Sequence, residues 1–127
     1  MPAFSMNDEN REDFYFDMKG KRILKLSARN LPGFVEQCLK EAGVKMESID
    51  LVVHNQASRA LDVIMPRLGF RKGTYIDRVS QYGNMISASV PYALCEAIGE
   101  GRVEKGDLVL LIGTAAGLTA NFLLMRI

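Results

Sequence analysis

Short apolar runs typical of buried strands alternate along this chain with segments whose apolar residues recur at helical spacing. Strands are predicted at 50–53, 74–79, 108–112 and 118–127, and helices at 22–42, 58–68 and 86–98. Strands that are connected through helices pair in parallel, with the helices covering the faces of the sheet. The pattern therefore predicts an α/β fold with a mixed, mostly parallel sheet, helices on both faces and a C-terminal hairpin.

Proline, glycine and serine residues indicate where the helices are expected to begin, break or end. Pro32 lies inside the first helical segment and is predicted to kink or split it, and Gly43 is predicted to end it. Ser58 is the predicted N-cap of the second helix, and Gly69 its end. Weak alternation at 14–18 predicts an edge strand before the first helix.

Length and composition fit one globular domain. The 127 residues are 48% hydrophobic and 24% charged. Polar, aperiodic residues 1–12 are predicted to be a disordered lead-in, and 13–127 the folded domain.

A net charge of +1 gives no reason to expect a nucleic acid or a membrane as partner. Cys38 and Cys95 lack metal-ligand spacing and lie in helical patterns, which predicts buried, reduced thiols and a cytoplasmic location.

Polar or glycine-rich loops follow three of the predicted strands, at 54–58, 81–84 and 113–117. Because the carboxyl ends of parallel strands meet at one edge of a sheet, His54 and Asn84 are expected to lie at the same end. A neutral imidazole and a carboxamide both donate hydrogen bonds to an oxygen that gains negative charge. Considered alone, however, a single histidine after a strand is more often a structural residue.

Four segments in order carry a more specific pattern, at 50–57, 82–94, 99–111 and 117–119. The first is a strand that ends in His followed by Gln-Ala, and the second contains Gly-Asn followed by Ser-Ala-Ser-Val-Pro. The third is a Gly-rich loop leading into an apolar strand, and the fourth is a Gly-Leu-Thr turn. Together, over about 14–127, they resemble the C-terminal domain of β-ketoacyl-acyl-carrier-protein synthase III. That family of condensing enzymes belongs to the thiolase superfamily.

The first motif departs from the family's His-Gln-Ala-Asn by one residue, because this chain has His-Asn-Gln-Ala-Ser at 54–58. One alignment matches His54 to the catalytic histidine, and its separation from Asn84 (84 − 54 = 30) fits the family without a gap. An alignment shifted by one residue instead matches Asn55 to the catalytic histidine, and it keeps Gln56 in register with the glutamine of the family's motif. The first alignment is the prediction, and the second is the alternative.

The resemblance implies an activity and a set of site residues. Such enzymes transfer an acyl group from coenzyme A to a cysteine and condense it with a malonyl thioester in fatty-acid biosynthesis. His54 and Asn84 would then be catalytic, donating hydrogen bonds to the thioester oxygen. The backbone turn at Ala116 and Gly117 would line an oxyanion hole, although this chain has Ala where the family often has Gly. Arg59 would dock acyl carrier protein or coenzyme A, and no metal or cofactor would be needed.

The resemblance also implies partners. The nucleophilic cysteine of these enzymes lies in their N-terminal half, and Cys38 and Cys95 match neither its motif nor its position. The isolated chain is therefore predicted to be inactive, and to require the N-terminal half within a homodimeric enzyme. Two alternatives are a non-catalytic module that binds acyl carrier protein or coenzyme A, and a condensing enzyme of secondary metabolism.

Overall fold

A four-stranded sheet forms the centre of the molecule in a computed structural model that describes residues 11–15, 19–57, 59–115 and 119–127. Its strands are β1 (Leu51–His54), β2 (Tyr75–Ile76), β3 (Leu108–Ala115) and β4 (Thr119–Arg126). Their order is β2-β1-β3-β4; β1 is parallel to β2 and β3, and β4 is antiparallel to β3. The mostly parallel sheet and its C-terminal hairpin are as predicted.

Helices cover both faces of this sheet. They are α1 (Gly20–Glu41), α2 (Leu61–Arg67), α3 (Val79–Tyr82) and α4 (Ser89–Gly99). Alternate residues of β1 point to opposite faces, so Val52 joins a core with α1 and α2, whereas Val53 joins a second core with α4. Among the described residues, no helix is both long and apolar enough to cross a membrane.

The first helix is continuous, so Pro32, which was predicted to kink or split it, does not split it. Its buried stripe continues on both sides of the proline, and this packing outweighs the loss of one backbone hydrogen bond. The predicted end at Gly43 is confirmed. Gly43 has a φ of 66°, and the N–H of Val44 donates back to the carbonyl of Leu39 at 2.9 Å.

Several local predictions were wrong. The strand predicted at 74–79 ends at Ile76, because the Asp77 carboxylate accepts the N–H of Val79 (2.9 Å) and starts α3. Ile86, predicted to lie in the buried stripe of α4, is 80% exposed and precedes that helix. Cys95 is exposed on α4 rather than buried.

The N-terminal predictions are only partly covered by the described residues. A 3-10 helix at Arg11–Phe14 occupies the start of the predicted edge strand, while 16–18 lie outside the described residues. Residues 1–10 of the predicted lead-in and Ser58 also lie outside them. The second helix is confirmed, with Ala60 as its N-cap residue and Gly69, at a φ of 94°, just beyond its end.

Candidate functional site

A cavity of about 370 Å³ lies at the carboxyl ends of the parallel strands. Its polar lining comes from the end of β1, the loops that follow β1 and β2, β3 and α1, and includes His54, Asn55, Asn84, Thr114, Lys21 and Ser27. Its apolar wall comes from α1 and α2, and includes Leu24, Leu31, Leu61 and Ile64. His54 and Asn84 thus line one cavity, although 30 positions separate them in sequence (84 − 54 = 30).

Asn84 is held by a turn that needs a glycine before it. Gly83 has φ 66° and ψ −157°, a conformation that is essentially restricted to glycine. The Asn84 Oδ1 atom accepts the backbone N–H of Ile86 at 2.8 Å. Since only the oxygen of a carboxamide can accept, this contact fixes the orientation of the amide. It leaves the Nδ2 protons of Asn84 without an acceptor among the described residues, and therefore able to donate to a ligand.

Backbone strain follows directly after Asn84. Ile86 has a φ of 54°, in the left-handed region that a β-branched residue rarely adopts. Its side chain contributes little burial, since it is 80% exposed. Hydrogen bonds to Asn84 and from the backbone N–H of Met85 to the Ser89 hydroxyl (3.1 Å) hold the segment in this conformation. Strained residues of this kind cluster at functional sites.

His54 ends β1 and is only 5% exposed. Its Nδ1 atom lies 2.6 Å from the backbone carbonyl oxygen of Asn55. A carbonyl oxygen can only accept, so Nδ1 carries a proton and donates it. In the neutral ring Nε2 then presents a lone pair, and this buried atom has no hydrogen-bond partner among the described residues.

Burial lowers the pKa of His54 below its ordinary value, and the hydrogen bond to the carbonyl of Asn55 opposes this only in part. The neutral imidazole is therefore the stable form at neutral pH. While Nδ1 keeps its contact, donation from Nε2 requires the imidazolium. The donor role predicted for His54 thus requires either that charged form or a broken contact to Asn55.

The lowered pKa makes the stability of the chain depend on pH. Below about pH 6.5 the unfolded histidine gains a proton while the buried ring stays neutral, so stability is lost as the pH falls towards the folded-state pKa. Between about pH 6.5 and its folded-state pKa, His54 is expected to lower the free energy of unfolding by up to about 1.4 kcal/mol for each pH unit. Urea unfolding of the parent and of His54→Gln at pH 7.5 and 5.5 checks this. An equal decrease in both proteins would contradict it.

Asn55 continues the backbone ladder of β1, donating its N–H to the carbonyl of Ile112 at 3.1 Å. Its Oδ1 atom accepts the backbone N–H of Thr114 at 3.2 Å and the hydroxyl of Thr114 at 3.0 Å. Its Nδ2 atom makes only a long contact, 3.4 Å, to the Thr114 carbonyl. Asn55 therefore holds its amide oxygen on β3 and retains donor capacity at the cavity.

Gln56 explains why the loop after β1 keeps this shape. Its side chain is fully buried, and Nε2 donates to the carbonyls of His54 (2.7 Å) and Ile76 (3.2 Å). Its Oε1 atom accepts the backbone N–H of Arg78 at 2.6 Å. Arg78 is in turn bound to Glu96 of α4 through a 2.9 Å ion pair. One buried amide therefore joins the ends of β1 and β2 below the cavity.

Of the other predicted site residues, the described part of the structure includes only Arg59. Ala116 and Gly117 lie outside the described residues. Arg59 is exposed on the loop between Ala57 and Ala60, two residues that line the cavity. The sequence prediction missed Thr114 and the wall formed by α1, because no local pattern places that helix over the ends of the strands.

Neither cysteine is among the described residues that line the cavity. Cys38 is half-buried in α1, where burial, with a smaller effect of Glu41, raises the pKa of its thiol. Cys95 is exposed on α4. The cavity therefore offers hydrogen-bonding groups without a nucleophilic thiol from its described lining.

Comparison with known proteins agrees with this architecture. The family model described as 3-oxoacyl-[acyl-carrier-protein] synthase III C terminal matches residues 39–127. A β-ketoacyl-[acyl-carrier-protein] synthase III of Clostridium perfringens is 33% identical over 130 aligned residues, covering 100% of this chain and 40% of the relative. The chain thus spans about two fifths of the length of this curated relative.

Two solved structures are similar to this chain, and it likewise covers only part of each. The 3-oxoacyl-[acyl-carrier-protein] synthase III of Aquifex aeolicus has a TM-score of 0.82 and 37% identity, over 89% of this chain and 37% of that structure. The synthase III structure from Thermus thermophilus has a TM-score of 0.80 and 35% identity, over 87% of this chain and 35% of its own. The thiolase-like α/β fold is therefore shared with both.

Proposed function

This chain belongs to the family of 3-oxoacyl-[acyl-carrier-protein] synthase III C-terminal domains, and we propose that it supplies the carbanion-stabilising side of a condensing active site. The enzyme would join an acyl thioester to a malonyl thioester in fatty-acid biosynthesis. The observation that carries this proposal is the cavity at the strand ends, where Asn84 and the His54–Asn55 loop meet. Hereafter the complete enzyme means this chain together with the part that supplies the nucleophilic cysteine.

The chemistry explains what the cavity would do. When a malonyl thioester loses CO2, the electrons of the broken C–C bond pass to the α-carbon and are delocalised onto the thioester oxygen. The carbanion then attacks the acyl-cysteine carbonyl and releases the cysteine as a thiolate. Hydrogen-bond donors placed at the thioester oxygen stabilise the first transition state, by about 3 kcal/mol each.

Each predicted residue has a place in this scheme. The Nδ2 atom of Asn84 donates to the oxygen, and the end of β1 supplies a second group, which the sequence-based prediction assigns to His54. Ala116 and Gly117 lie outside the described residues, and the oxyanion-hole role of their backbone remains the one that the family resemblance implies. Exposed Arg59, beside the cavity-lining loop, binds the phosphate of coenzyme A or of the carrier protein's prosthetic group.

The proposal also sets the wider context of the enzyme. Acyl-coenzyme A and malonyl-acyl-carrier-protein are its substrates, and no metal or cofactor takes part. The N-terminal part of the enzyme and a second copy in a homodimer are its protein partners. We place the enzyme in the cytoplasm, a reducing compartment in which the thiols of Cys38 and Cys95 would stay free.

Product formation tests this proposal. The 127-residue chain, incubated with acyl-coenzyme A, is expected to form no stoichiometric acyl-cysteine, because neither Cys38 nor Cys95 is among the described residues that line the cavity. The complete enzyme, given acyl-coenzyme A and malonyl-acyl-carrier-protein, is expected to release CO2 and a 3-oxoacyl product. Mass spectrometry follows both reactions.

Two results would contradict the proposal. Stoichiometric acylation of the isolated chain would place a nucleophile within these residues. A complete enzyme that binds acyl carrier protein or coenzyme A without turning over any acyl donor would instead identify a non-catalytic binding module.

A further inference from the structure

We infer that Asn55 and Asn84 form a pair of carboxamide donors for the anionic thioester oxygen, and that His54, whose buried Nε2 carries no proton, is not a donor to it. The inference rests on the proposed function, because it assigns roles within the same reaction. It differs from the sequence-based prediction, which paired His54 with Asn84. Asn55, which only the alternative alignment matched to the family's catalytic histidine, becomes the second donor beside Asn84.

The first support is the protonation of the His54 ring. The 2.6 Å contact to the Asn55 carbonyl places the proton on Nδ1. Nε2 is buried, has no partner among the described residues and lies on a side chain that lines the cavity. In the neutral ring this atom can accept a proton or a hydrogen bond but cannot donate one. It would repel the developing negative charge of a thioester oxygen rather than stabilise it.

The second support is the amide of Asn55. Its oxygen is occupied by two hydrogen bonds from Thr114, which fixes the amide orientation. Its two N–H groups have only the 3.4 Å contact to the Thr114 carbonyl as a partner. At least one N–H is therefore left for a ligand in the cavity that Asn55 also lines.

Asn84 is arranged in the same way. Its oxygen is occupied by the Ile86 N–H at 2.8 Å, while its Nδ2 protons have no acceptor among the described residues. Two carboxamides on one cavity thus have their oxygens occupied by the backbone and their N–H groups available. His54, the last residue of β1, has its proton on Nδ1 and therefore offers no N–H from its buried Nε2.

The protonation of His54 can be measured directly, because it is the only histidine of the chain. Long-range ¹H–¹⁵N spectra of the 127-residue chain at neutral pH distinguish a protonated ring nitrogen from an unprotonated one. We expect a protonated Nδ1 and an unprotonated Nε2. A protonated Nε2 in the neutral ring would overturn the inference, and this result does not depend on activity.

The catalytic part is tested in the complete enzyme with three substitutions of Asn55. Asn55→Ala and Asn55→Asp are expected to slow malonyl decarboxylation about 100-fold, since both lack the N–H donors. Asn55→Asp keeps an oxygen for Thr114 but adds a negative charge, so the neutral Asn55→Ala reports the lost donor, and Asn55→Asp shows whether the contact with β3 alone sustains the rate. Asn55→His, which restores a ring N–H donor, is expected to recover the rate to within about tenfold of the parent.

Controls separate this inference from the function on which it rests. Asn121→Ala removes an exposed carboxamide from β4 and is expected to leave the rate unchanged. If Asn84→Ala is slow but Asn55→Asp retains the parental rate, the inference fails and the proposed function stands. If both variants retain it, the proposed function fails as well. Thermal unfolding of each variant excludes loss of folding as the cause.

Discussion

Asn84→Ala in the complete enzyme is expected to slow malonyl decarboxylation by about 100- to 1,000-fold. The reason is the loss of an amide that Gly83 and the Ile86 N–H orient, leaving its N–H groups available at the cavity. Acylation of the nucleophilic cysteine should be largely unaffected, because that step does not place negative charge on the malonyl thioester oxygen. Release of CO2 from a malonyl thioester and mass spectrometry of the acyl-enzyme measure the two steps separately.

The matched control is Asn121→Ala, an exposed position on β4 that does not line the cavity. It should decarboxylate at the parental rate. An equal loss of acylation and decarboxylation in Asn84→Ala would point to a misplaced loop rather than a lost donor. Parental decarboxylation in that variant would remove Asn84 from the reaction.

Gln56→Leu is expected to lower the free energy of unfolding by about 3 kcal/mol, because it removes two buried hydrogen bonds and one partly buried one. Leucine fills a similar volume but leaves the carbonyls of His54 and Ile76 and the N–H of Arg78 without this partner. Each unsatisfied buried group costs about 1–3 kcal/mol, and relaxation of the loop recovers part of the total. Urea unfolding of the 127-residue chain measures the effect.

Gln37→Leu is the control for this substitution. Gln37 is exposed on α1, and its side-chain amide donates to the carboxylate of Glu41, one turn along the same helix, at 2.8 Å. Its replacement should change the stability by less than about 0.5 kcal/mol. Similar losses for Gln37→Leu and Gln56→Leu would show that the buried amide does not hold β1 and β2 together.

The elements that could be predicted from sequence are those set by local signals. The buried run of β1 and the apolar run of β3 are short and aliphatic, as strands covered on both faces must be. Gly43 and Gly69 end their helices because both have a positive φ that other residues rarely adopt. The cavity at the strand ends follows from the parallel order of the sheet, which the alternation of elements already implied.

The features that could not be predicted depend on contacts between distant residues or on a single atom. The continuity of α1 through Pro32 reflects packing against the sheet, which outweighs the local preference. The amide of Asn55 is fixed by Thr114, a residue 59 positions away. The proton on the Nδ1 atom of His54 depends on the direction of one backbone carbonyl. No periodicity in the sequence reports that direction.

The central claim is that amide N–H groups at the strand ends meet the oxygen of a malonyl thioester. A crystal structure of the complete enzyme with a malonyl-thioester analogue that cannot lose CO2 tests it most directly. We expect the thioester oxygen to lie within about 3 Å of the Nδ2 atoms of Asn84 and Asn55, with the Nε2 atom of His54 unprotonated. An analogue bound elsewhere, or with that oxygen held by His54 while both amides point away, would contradict it.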